Sequence, residues 1–471
     1  MPSATADRRW LYWLPPLLAV AVRALWAARI PVAPLAPVDA EGFHLLAINW
    51  LAGRGLALAW EPPFCPDTLR TPLYPLWVAG GYRLLGPDPA RIVWLHWLLE
   101  ALTTALVMRL GREVGDARVG LGAGLCYALN GSTQRYTGVL YSETLLLTAL
   151  TAALWLTARV ARRPRPGRAA LAGVGWGLAL LVKPNAQYLA LAAGGWLALA
   201  GRDGRQRLRL GLAFGVAMGA ALAPWLLRNH ALLGRATLST AFQENLARVS
   251  VVATLAEAQG IAAEPWTPTW EALYTSLADA AGERHGWTPQ AALTLPCPER
   301  ELRRAQLATV AREIVLAHPA AFVRGHLRGV ARSLRDLGYQ TWYPALTGRT
   351  WASTGRVADL GPRLAASLRI GAVGDALHAL WLERVLYPPL DAFLLWWGLL
   401  AGRIAVAWLA LRGWRRLGWR APLAWLLVGA AAYFILLPGP IAYDRFYLPA
   451  IPAVVVLFTL GGCWYNGEGM G

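Results

Sequence analysis

The feature that most constrains this chain is a series of apolar runs, many of them about 20 residues long, that recurs through the sequence. A run of that length crosses the hydrocarbon core of a bilayer as a single helix. Of the 471 residues, 56% are hydrophobic and 15% are charged. A soluble protein of this size usually carries about 25% charged residues. The sequence therefore excludes a soluble globule and a disordered chain, and it predicts an all-α polytopic membrane protein.

The runs predict about 10 transmembrane helices. We interpret the first, from Trp10 to about Ile30, as an uncleaved span rather than a signal peptide, because the run is long and continuous. The other predicted spans cover residues 90–110, 117–133, 139–159, 169–182, 185–201, 208–228, 386–411, 421–438 and 444–463.

The placement of the arginines predicts the orientation. A net charge of +18 first indicates nucleic-acid binding, but the arginines lie in short clusters between apolar runs and not on one soluble domain. With a cytoplasmic N-terminus, these clusters fall in cytoplasmic loops, as the positive-inside rule requires. We therefore predict no nucleic-acid partner and a multi-pass protein of the inner (plasma) membrane, in contact with its lipids.

This topology divides the chain into three parts. Residues 1–229 form an N-terminal transmembrane module that includes a first outer loop at 31–89. Residues 230–385 form an extracytoplasmic, partly helical segment, with stretches such as Arg300–Val330, and residues 386–471 form the C-terminal transmembrane helices. Cys65 and Cys297 fall in the two outer segments, which leaves a disulfide between them open.

Two acids open the first outer loop. Asp39 and Glu41 precede a helical repeat of apolar residues from Phe43 to Leu51, which predicts an amphipathic helix in the membrane interface. Helix capping explains such acids structurally. A carboxylate at the membrane surface can also act as a general base. Further along the loop, Arg70 and Tyr74 lie in a proline turn before a second interfacial helix; Arg70 is either an interfacial anchor or a phosphate contact.

Several polar residues fall at the predicted outer ends of spans. Lys183, Arg228 and Arg445 lie there despite the positive-inside rule. Each has a structural explanation, by snorkelling to head groups or by stabilising a helix terminus, and a functional one, as a phosphate contact. Glu143 and Tyr443 are open to the same two interpretations, as a first-turn acid and as an interfacial aromatic. Glu100 lies inside the second span, where a lone acid is costly and is usually ion-paired. Arg23 in the first span lies at a similar depth and is the predicted partner.

Six motifs together resemble the GT-C superfamily of glycosyltransferases, in the branch that holds the protein O-mannosyltransferases and the bacterial aminoarabinose transferases of lipid A. They are Asp39-Ala40-Glu41-Gly42-Phe43, Arg70-Thr71-Pro72-Leu73-Tyr74-Pro75, Tyr141-Ser142-Glu143-Thr144, Leu181-Val182-Lys183-Pro184, Pro224-Trp225-Leu226-Leu227-Arg228-Asn229 and Asp444-Arg445-Phe446-Tyr447-Leu448-Pro449. Ala40 departs from the pattern, since the family commonly has an acid adjacent to the first.

The resemblance implies a GT-C fold with interfacial helices in the first outer loop, and a transferase that takes its sugar from a polyprenyl-phosphate donor on the extracytoplasmic face. One carboxylate with a cluster of cations is sufficient for an inverting displacement, so we predict inversion. The resemblance assigns Asp39 and Glu41 as catalytic. It assigns a substrate-binding set of Arg70, Tyr74, Glu143, Lys183, Arg228, Tyr443 and Arg445. The acceptor stays open among a lipid, a glycan and a protein. The residues show no metal-ligand spacing, and the use of a divalent metal stays open.

The chemistry suits these residue types. A polyprenyl phosphate leaves as a weakly basic anion, which needs cations more than a general acid, whereas an acceptor hydroxyl or amine needs a base. Two alternatives remain. A transporter or flippase of lipid-linked sugars predicts repeated halves and polar groups at the midplane, neither of which is visible. A non-catalytic GT-C-like membrane partner is compatible with Ala40.

Overall fold

The structure, a computed structural model, describes residues 9–29, 33–35, 38–288, 295–335, 342–343, 346–347, 364, 367, 370–381, 390–418, 421–441 and 444–462. Within these ranges the chain is α-helical, with one isolated β-bridge between Ala57 and Pro66 and no longer strand. The prediction of an all-α protein is confirmed.

The described helices, numbered in chain order, are α1 (Leu14–Arg29), α2 (Val38–Leu51), α3 (Leu73–Leu85), α4 (Pro89–Val114), α5 (Ala117–Ala128), α6 (Gly131–Thr137), α7 (Glu143–Arg162), α8 (Pro166–Val182), α9 (Gln187–Leu199), α10 (Gly204–Leu233), α11 (Ala241–Asn245), α12 (Val251–Gln259), α13 (Pro268–His285), α14 (Cys297–Ala317), α15 (Pro319–Arg335), α16 (Val373–Trp381), α17 (Leu390–Leu417), α18 (Pro422–Leu436), α19 (Asp444–Tyr447) and α20 (Ile451–Gly462).

Three of the described helices, α4, α7 and α10, are long and apolar enough to cross a membrane, and α8 and α18 are shorter helices of the same character. A polytopic membrane protein is thus confirmed. Each predicted span overlaps a helix, namely α1, α4, α5, α7, α8, α9, α10, α17, α18 and the α19–α20 stretch. The number of helices that cross the membrane stays a prediction.

Short polar residues set the starts of the long helices. The side chains of Asp88, Asp116 and Asp203 accept hydrogen bonds from backbone N–H groups in the first turns of α4, α5 and α10. These groups have no partner inside the helix, so each cap satisfies donors that would otherwise be lost. At its other end α10 stops at Gly234, whose φ of 69° lies in the left-handed region.

The two helices predicted in the first outer loop are present as α2 and α3. Gly53, with φ of 74°, follows the end of α2. Phe43, Leu46 and Ala47 on α2 are buried against the bundle, whereas Trp50 at its last turn is half-exposed. The apolar face of α2 therefore packs partly on protein, and this packing fixes the position of its N-terminus.

Buried residues form two hydrophobic clusters. The larger is built mainly from α2 to α10 together with α18 and α20. The smaller involves α12, α13 and α14, which lie in the predicted second outer segment, residues 230–385. The predicted helical stretch Arg300–Val330 is two helices, because Pro319 begins a new helix and supplies no backbone N–H to continue α14.

The predicted partnership of Glu100 and Arg23 is confirmed. An Arg23 Nη2 atom lies 2.5 Å from Glu100 Oε2, and both side chains are fully buried. Arg23 also donates to the carbonyl of Ala128 at 2.7 Å and to Thr133 Oγ1 at 2.8 Å. A buried ion pair is tolerated only with such additional hydrogen bonds. The pair joins α1 to α4, in keeping with a structural role.

Candidate active site

Five of the predicted residues form one cluster of ion pairs, the clamp cluster: Asp39, Arg70, Glu143, Lys183 and Arg445. They come from the starts of α2, α7 and α19, the turn before α3, and the break between α8 and α9. Residues far apart in sequence thus meet where several helices begin or end.

Asp39 is held by two arginines. Its Oδ1 accepts from Arg70 Nη2 at 3.3 Å and its Oδ2 accepts from Arg445 Nη1 at 2.9 Å. Burial by itself would raise the pKa of Asp39, but the charges of Arg445 and Arg70 and the hydrogen bond from Arg445 lower it below its ordinary value. The side chain is still 47% exposed. Asp39 is therefore an ionised carboxylate that a ligand can reach.

Glu143 is the buried centre of the cluster, with 2% of its side chain exposed. One oxygen, Oε1, accepts from Lys183 Nζ at 2.7 Å and from Arg445 Nε at 2.5 Å. Its Oε2 is buried without a hydrogen-bond partner among the residues that the structure describes. Glu143 therefore orients Lys183 and Arg445 relative to each other.

Arg445 bridges the two carboxylates, since its Nη1 binds Asp39 and its Nε binds Glu143. Its guanidinium also lies over the Tyr141 ring, 3.9 Å from the centroid. A planar guanidinium suits this combination of two carboxylates and an aromatic face better than an ammonium would.

Arg70 is positioned by its own turn. Its backbone N–H donates to the buried Asp67 carboxylate at 2.8 Å, and its guanidinium lies 5.2 Å from the Phe43 ring centroid. Burial raises the pKa of Asp67 from its usual value, although hydrogen bonds and the charge of Arg70 oppose this. Gly42 leaves room for the guanidinium, since a Cβ atom there would lie 2.8 Å from Arg70 Nη2.

Tyr74 supports the site from behind. Its side chain is fully buried, its ring packs edge-on against Phe43 at 4.7 Å, and its hydroxyl is hydrogen-bonded to His96 Nε2 at 3.1 Å. The structure therefore places Tyr74 under Phe43, whose ring lies against Arg70, and not at the open surface of the cluster.

The other predicted site residues lie outside the clamp cluster or outside the described residues. Arg228 Nη1 donates to the Asp67 carbonyl and to Asn229 Oδ1, both at 2.8 Å. Glu41 is exposed and accepts from Trp60 Nε1 at 3.2 Å. Arg228 thus braces the turn that carries Arg70, and Glu41 takes part in none of the ion pairs of the clamp cluster. Tyr443 lies outside the described residues.

Sequence reasoning did not single out Asp67 as a site residue and left Tyr141 without a role. Asp67 precedes Arg70 by three residues, a spacing at which an aspartate side chain can accept backbone N–H groups in a turn, so that signal was present. The contact of Tyr141 with Arg445 spans most of the chain, and no local pattern could indicate it.

The donor set does not fit a divalent metal ion. Among the described residues, no group of three or more His, Cys, Asp or Glu side chains is placed to hold a metal. Both carboxylates of the clamp cluster are ion-paired with Arg70, Lys183 or Arg445, although Glu143 Oε2 makes no hydrogen bond to a described residue. Mg²⁺ and similar hard cations require oxygen ligands, and three neighbouring cations repel them.

The cluster carries three cations and two carboxylates, which leaves one net positive charge. Arginine and lysine donors that converge from several directions bind phosphate oxygens well. A phosphate group that enters between the cations would therefore be stabilised by both charge and hydrogen bonds.

A disulfide joins the first outer loop to the second outer segment, since Cys65 is bonded to Cys297 at the start of α14. Nearby, Thr68 Oγ1 donates to Glu301 Oε1 at 2.9 Å, and the N–H of Thr240 donates to the carbonyl of Thr68 at 2.9 Å. The question left open by the sequence is therefore answered, and the turn that carries Arg70 is anchored on both sides.

Residues 69–227 match the family described as dolichyl-phosphate-mannose-protein mannosyltransferase. The resemblance predicted from the motifs is confirmed. The match includes Arg70, Glu143 and Lys183 of the clamp cluster, while Asp39 and Arg445 lie on either side of it. No curated protein sequence matches the chain significantly.

Solved structures similar to this one include an oligosaccharyltransferase and ArnT. The apo oligosaccharyltransferase of Archaeoglobus fulgidus aligns with a TM-score of 0.48 and 14% identity, over 95% of this chain and 49% of that one. ArnT of Cupriavidus metallidurans bound to undecaprenyl phosphate aligns with a TM-score of 0.38 and 14% identity, over 94% of this chain and 76% of that one. The chain thus spans about half the length of the oligosaccharyltransferase.

Proposed function

We propose that this protein is an integral-membrane glycosyltransferase that moves a sugar from a polyprenyl-phosphate donor to an acceptor on the extracytoplasmic face, with inversion. The observation that carries the proposal is the clamp cluster, in which three cations surround two carboxylates at helix ends within and beside the family-matched region.

In this proposal, the donor phosphate binds among Arg70, Lys183 and Arg445. The acceptor hydroxyl or amine attacks the anomeric carbon, and the bond from that carbon to the phosphate oxygen breaks. The leaving phosphate takes the electron pair and gains a second negative charge. The three cations stabilise this charge more strongly in the transition state than in the bound donor, which is the requirement for acceleration.

Asp39 accepts the proton of the acceptor. In the structure its pKa is lowered because Arg445 and Arg70 offset the effect of burial, so the free protein holds it ionised but weakly basic. A bound phosphate competes for the same two arginines. As they turn toward the phosphate, Asp39 loses its cationic partners and becomes a stronger base. Donor binding would thus prepare the base for the acceptor.

Two observations support an active site outside the cytoplasm. The Cys65–Cys297 disulfide lies in the segments that the arginine pattern predicts to be outside, and structural disulfides persist in oxidising compartments. The first outer loop that contains Cys65 also carries Asp39 and Arg70. A polyprenyl-phosphate donor presented at that face would meet the clamp cluster directly.

The proposal is tested by donor turnover of the purified protein in lipid. A panel of undecaprenyl-phosphate sugars is offered with crude envelope acceptor, and released undecaprenyl phosphate is measured for wild type and Asp39→Asn. We expect release from one donor by wild type and a loss of about 10²–10⁴-fold in the variant, as for removal of a general base.

Binding of undecaprenyl phosphate is measured on the same samples, because a missing acceptor would abolish turnover but not binding. Tight binding that is lost in Arg445→Ala supports the donor site even when turnover is absent. Absence of both release and binding would reject the enzyme and leave the transporter and non-catalytic alternatives.

A further inference from the structure

A cleft of about 330 Å³ lies within residues 235–312 and does not include the clamp cluster. Its walls are the segment that leads from α10 into α11 and one face of α14. Neither the five residues of the clamp cluster nor any acidic residue lines it. The cleft is therefore a site distinct from the clamp cluster, with its own set of polar groups.

Two arginines give this cleft a positive charge. Arg235 and Arg312 both line it and both are exposed. Within the described part of the chain, no salt bridge joins either of them to a carboxylate; Arg235 donates only to the neutral Gln243 Oε1, at 2.7 Å. On the same helix as Arg312, by contrast, Arg304 is paired with Glu301 at 2.6 Å. The two arginines of the cleft are left available for an anion.

The remaining lining is suited to a sugar. Phe242 lines the cleft, and 69% of the residue is exposed. A ligand in the cleft could therefore cover its ring. Thr237 and Thr309 also line the cleft. Their hydroxyls donate to the carbonyls of Ser239 and Ala305 and keep lone pairs that can accept from a sugar hydroxyl. Saccharides offer a weakly polar ring face and many hydroxyls, which an aromatic ring and short polar side chains can contact together.

The cleft is bonded to the turn that carries Arg70. Ser239 lines the cleft, and its hydroxyl donates to the carbonyl of Leu69 at 2.5 Å. Leu69 directly precedes Arg70 of the clamp cluster. A ligand in the cleft would therefore contact a segment that is hydrogen-bonded to the turn carrying Arg70.

We propose that this cleft binds an acidic saccharide and is the acceptor subsite, with a carboxylate or phosphate of the acceptor between Arg235 and Arg312 and a sugar ring against Phe242. This inference rests on the proposed glycosyltransferase function, since that function supplies the need for an acceptor. It narrows the acceptor from any hydroxyl or amine compound to an anionic glycan, either free or attached to a lipid.

The test is binding to the full-length protein in nanodiscs of phosphatidylcholine. The free probe is fluorescent hexagalacturonate, and the lipid-linked probe is glucuronosyl diacylglycerol added to the nanodisc. The neutral counterparts are maltohexaose and glucosyl diacylglycerol. We expect saturable binding of at least one acidic probe and at least tenfold weaker binding of its neutral counterpart; which acidic probe binds more tightly identifies the source.

Substitutions assign the binding to the cleft. Arg235→Ala with Arg312→Ala should weaken binding of the acidic probe at least tenfold, and the corresponding double lysine variant should restore most of it. Arg205→Ala, at an exposed arginine in a different part of the chain, should bind as wild type does. Failure of both acidic probes to bind, or equal binding by wild type and the double alanine variant, would overturn the inference.

The same samples separate this inference from the proposed function. The double alanine variant should keep the affinity of wild type for undecaprenyl phosphate, because the clamp cluster is intact. If wild type does not bind undecaprenyl phosphate, the proposed donor is contradicted, whether or not the acidic probes bind. Unchanged acidic-probe binding in the variant contradicts the acceptor cleft alone.

Discussion

At the scale of single residues, Arg445 determines the arrangement of the clamp cluster. It is the cation that contacts both carboxylates, Asp39 and Glu143. Glu143 is almost fully buried, and a buried carboxylate that loses a partner is strongly destabilised. Arg445 thus links two acids that Arg70 and Lys183 contact singly, and it offers the phosphate a donor between them.

Arg445→Ala is expected to weaken binding of undecaprenyl phosphate by about 10–100-fold, since a hydrogen bond to a charged group contributes about 1.5–3 kcal/mol. Arg445→Lys should fall between the alanine variant and wild type, because an ammonium lacks the two-sided geometry of the guanidinium. Titration of the lipid phosphate into purified protein measures this. Arg118→Ala, at an exposed arginine, is the matched control; equal affinity of Arg445→Ala and this control would remove Arg445 from the donor site.

Lys183 is expected to act through its charge. Its Nζ lies 2.7 Å from Glu143 Oε1, so an arginine at this position can keep the ion pair, whereas an alanine cannot. Lys183→Arg should therefore retain most donor turnover, and Lys183→Ala should lose most of it. Comparable turnover in the two variants would make Lys183 only an interfacial anchor.

The pH dependence of the free protein follows from Asp39. Its pKa is lowered below the ordinary 3.8 because two arginine charges and a hydrogen bond outweigh burial. A carboxylate with a depressed pKa contributes stability that is complete above the ordinary value and is lost as the pH falls through the lowered value. With a lowered pKa, Asp39 is also ionised in the free protein throughout the range from about pH 5 to 8. Since kcat/KM reports the pKa values of the free enzyme, we expect no acid limb from Asp39 in kcat/KM for the donor in this range.

This expectation is checked by a pH–rate profile on wild type and on His44→Gln. Burial lowers the pKa of His44, which lies on the same helix as Asp39, so the variant removes the nearby group that could titrate in this range. An acid limb near pH 6 that persists in His44→Gln would contradict the lowered pKa of Asp39.

At the scale of secondary-structure elements, the first outer loop shows what local sequence can and cannot reveal. The apolar repeat from Phe43 and the two glycines after it predicted α2, and the proline turn predicted α3, because these signals act over a few residues. The sequence could not show that Tyr74 is buried behind Phe43, or that Arg228 binds the Asp67 carbonyl, because both depend on how elements pack.

The close approach of Arg70, in the turn before α3, to Gly42 on α2 can be tested by adding a side chain at Gly42. In Gly42→Ala, the new Cβ would lie 2.8 Å from Arg70 Nη2, and the guanidinium must move away from Asp39. We expect donor affinity to fall severalfold, with little change in Tm, because the displaced atoms are the mobile end of a side chain. Gly80→Ala on α3, where a Cβ meets no atom within 4 Å, should leave the affinity unchanged. Equal affinities of the two variants would show that Arg70 does not need its present position.

At the scale of the whole molecule, the apolar runs were sufficient to predict the order of the helices, because hydrophobic length is a property of local sequence. The orientation that the arginine pattern predicts stays a prediction. The same pattern could not place the ion pairs. Asp39 and Arg445 are 406 residues apart, and their meeting depends on how the last helices pack on the first. The family resemblance suggested a shared role for these residues, but their hydrogen bonds come from the structure.

The disulfide is expected to support the donor site from a distance. Cys65 and Cys297 are separated by 232 residues, and a bridge across so long a loop contributes about 2–5 kcal/mol to stability. Cys65→Ser should lower Tm and also weaken donor affinity, because the turn with Arg70 loses one of its anchors. Cys126→Ser, at a cysteine outside any disulfide, is the control. A Tm that falls without any change in donor affinity would confine the disulfide to stability.

The bridging position of Arg445 has a consequence for biogenesis. Glu143 and Asp39 emerge from the ribosome early, whereas the arginine that neutralises both follows Glu143 by 302 residues. A nascent chain that has not yet inserted α19 and α20 therefore holds two nearby acids without their common cation. In such a chain Arg70 and Lys183 only balance the two acids, so the cluster lacks the net positive charge that attracts a lipid phosphate. Competence to bind a donor would thus be acquired in one late step of membrane insertion, when the final helices dock.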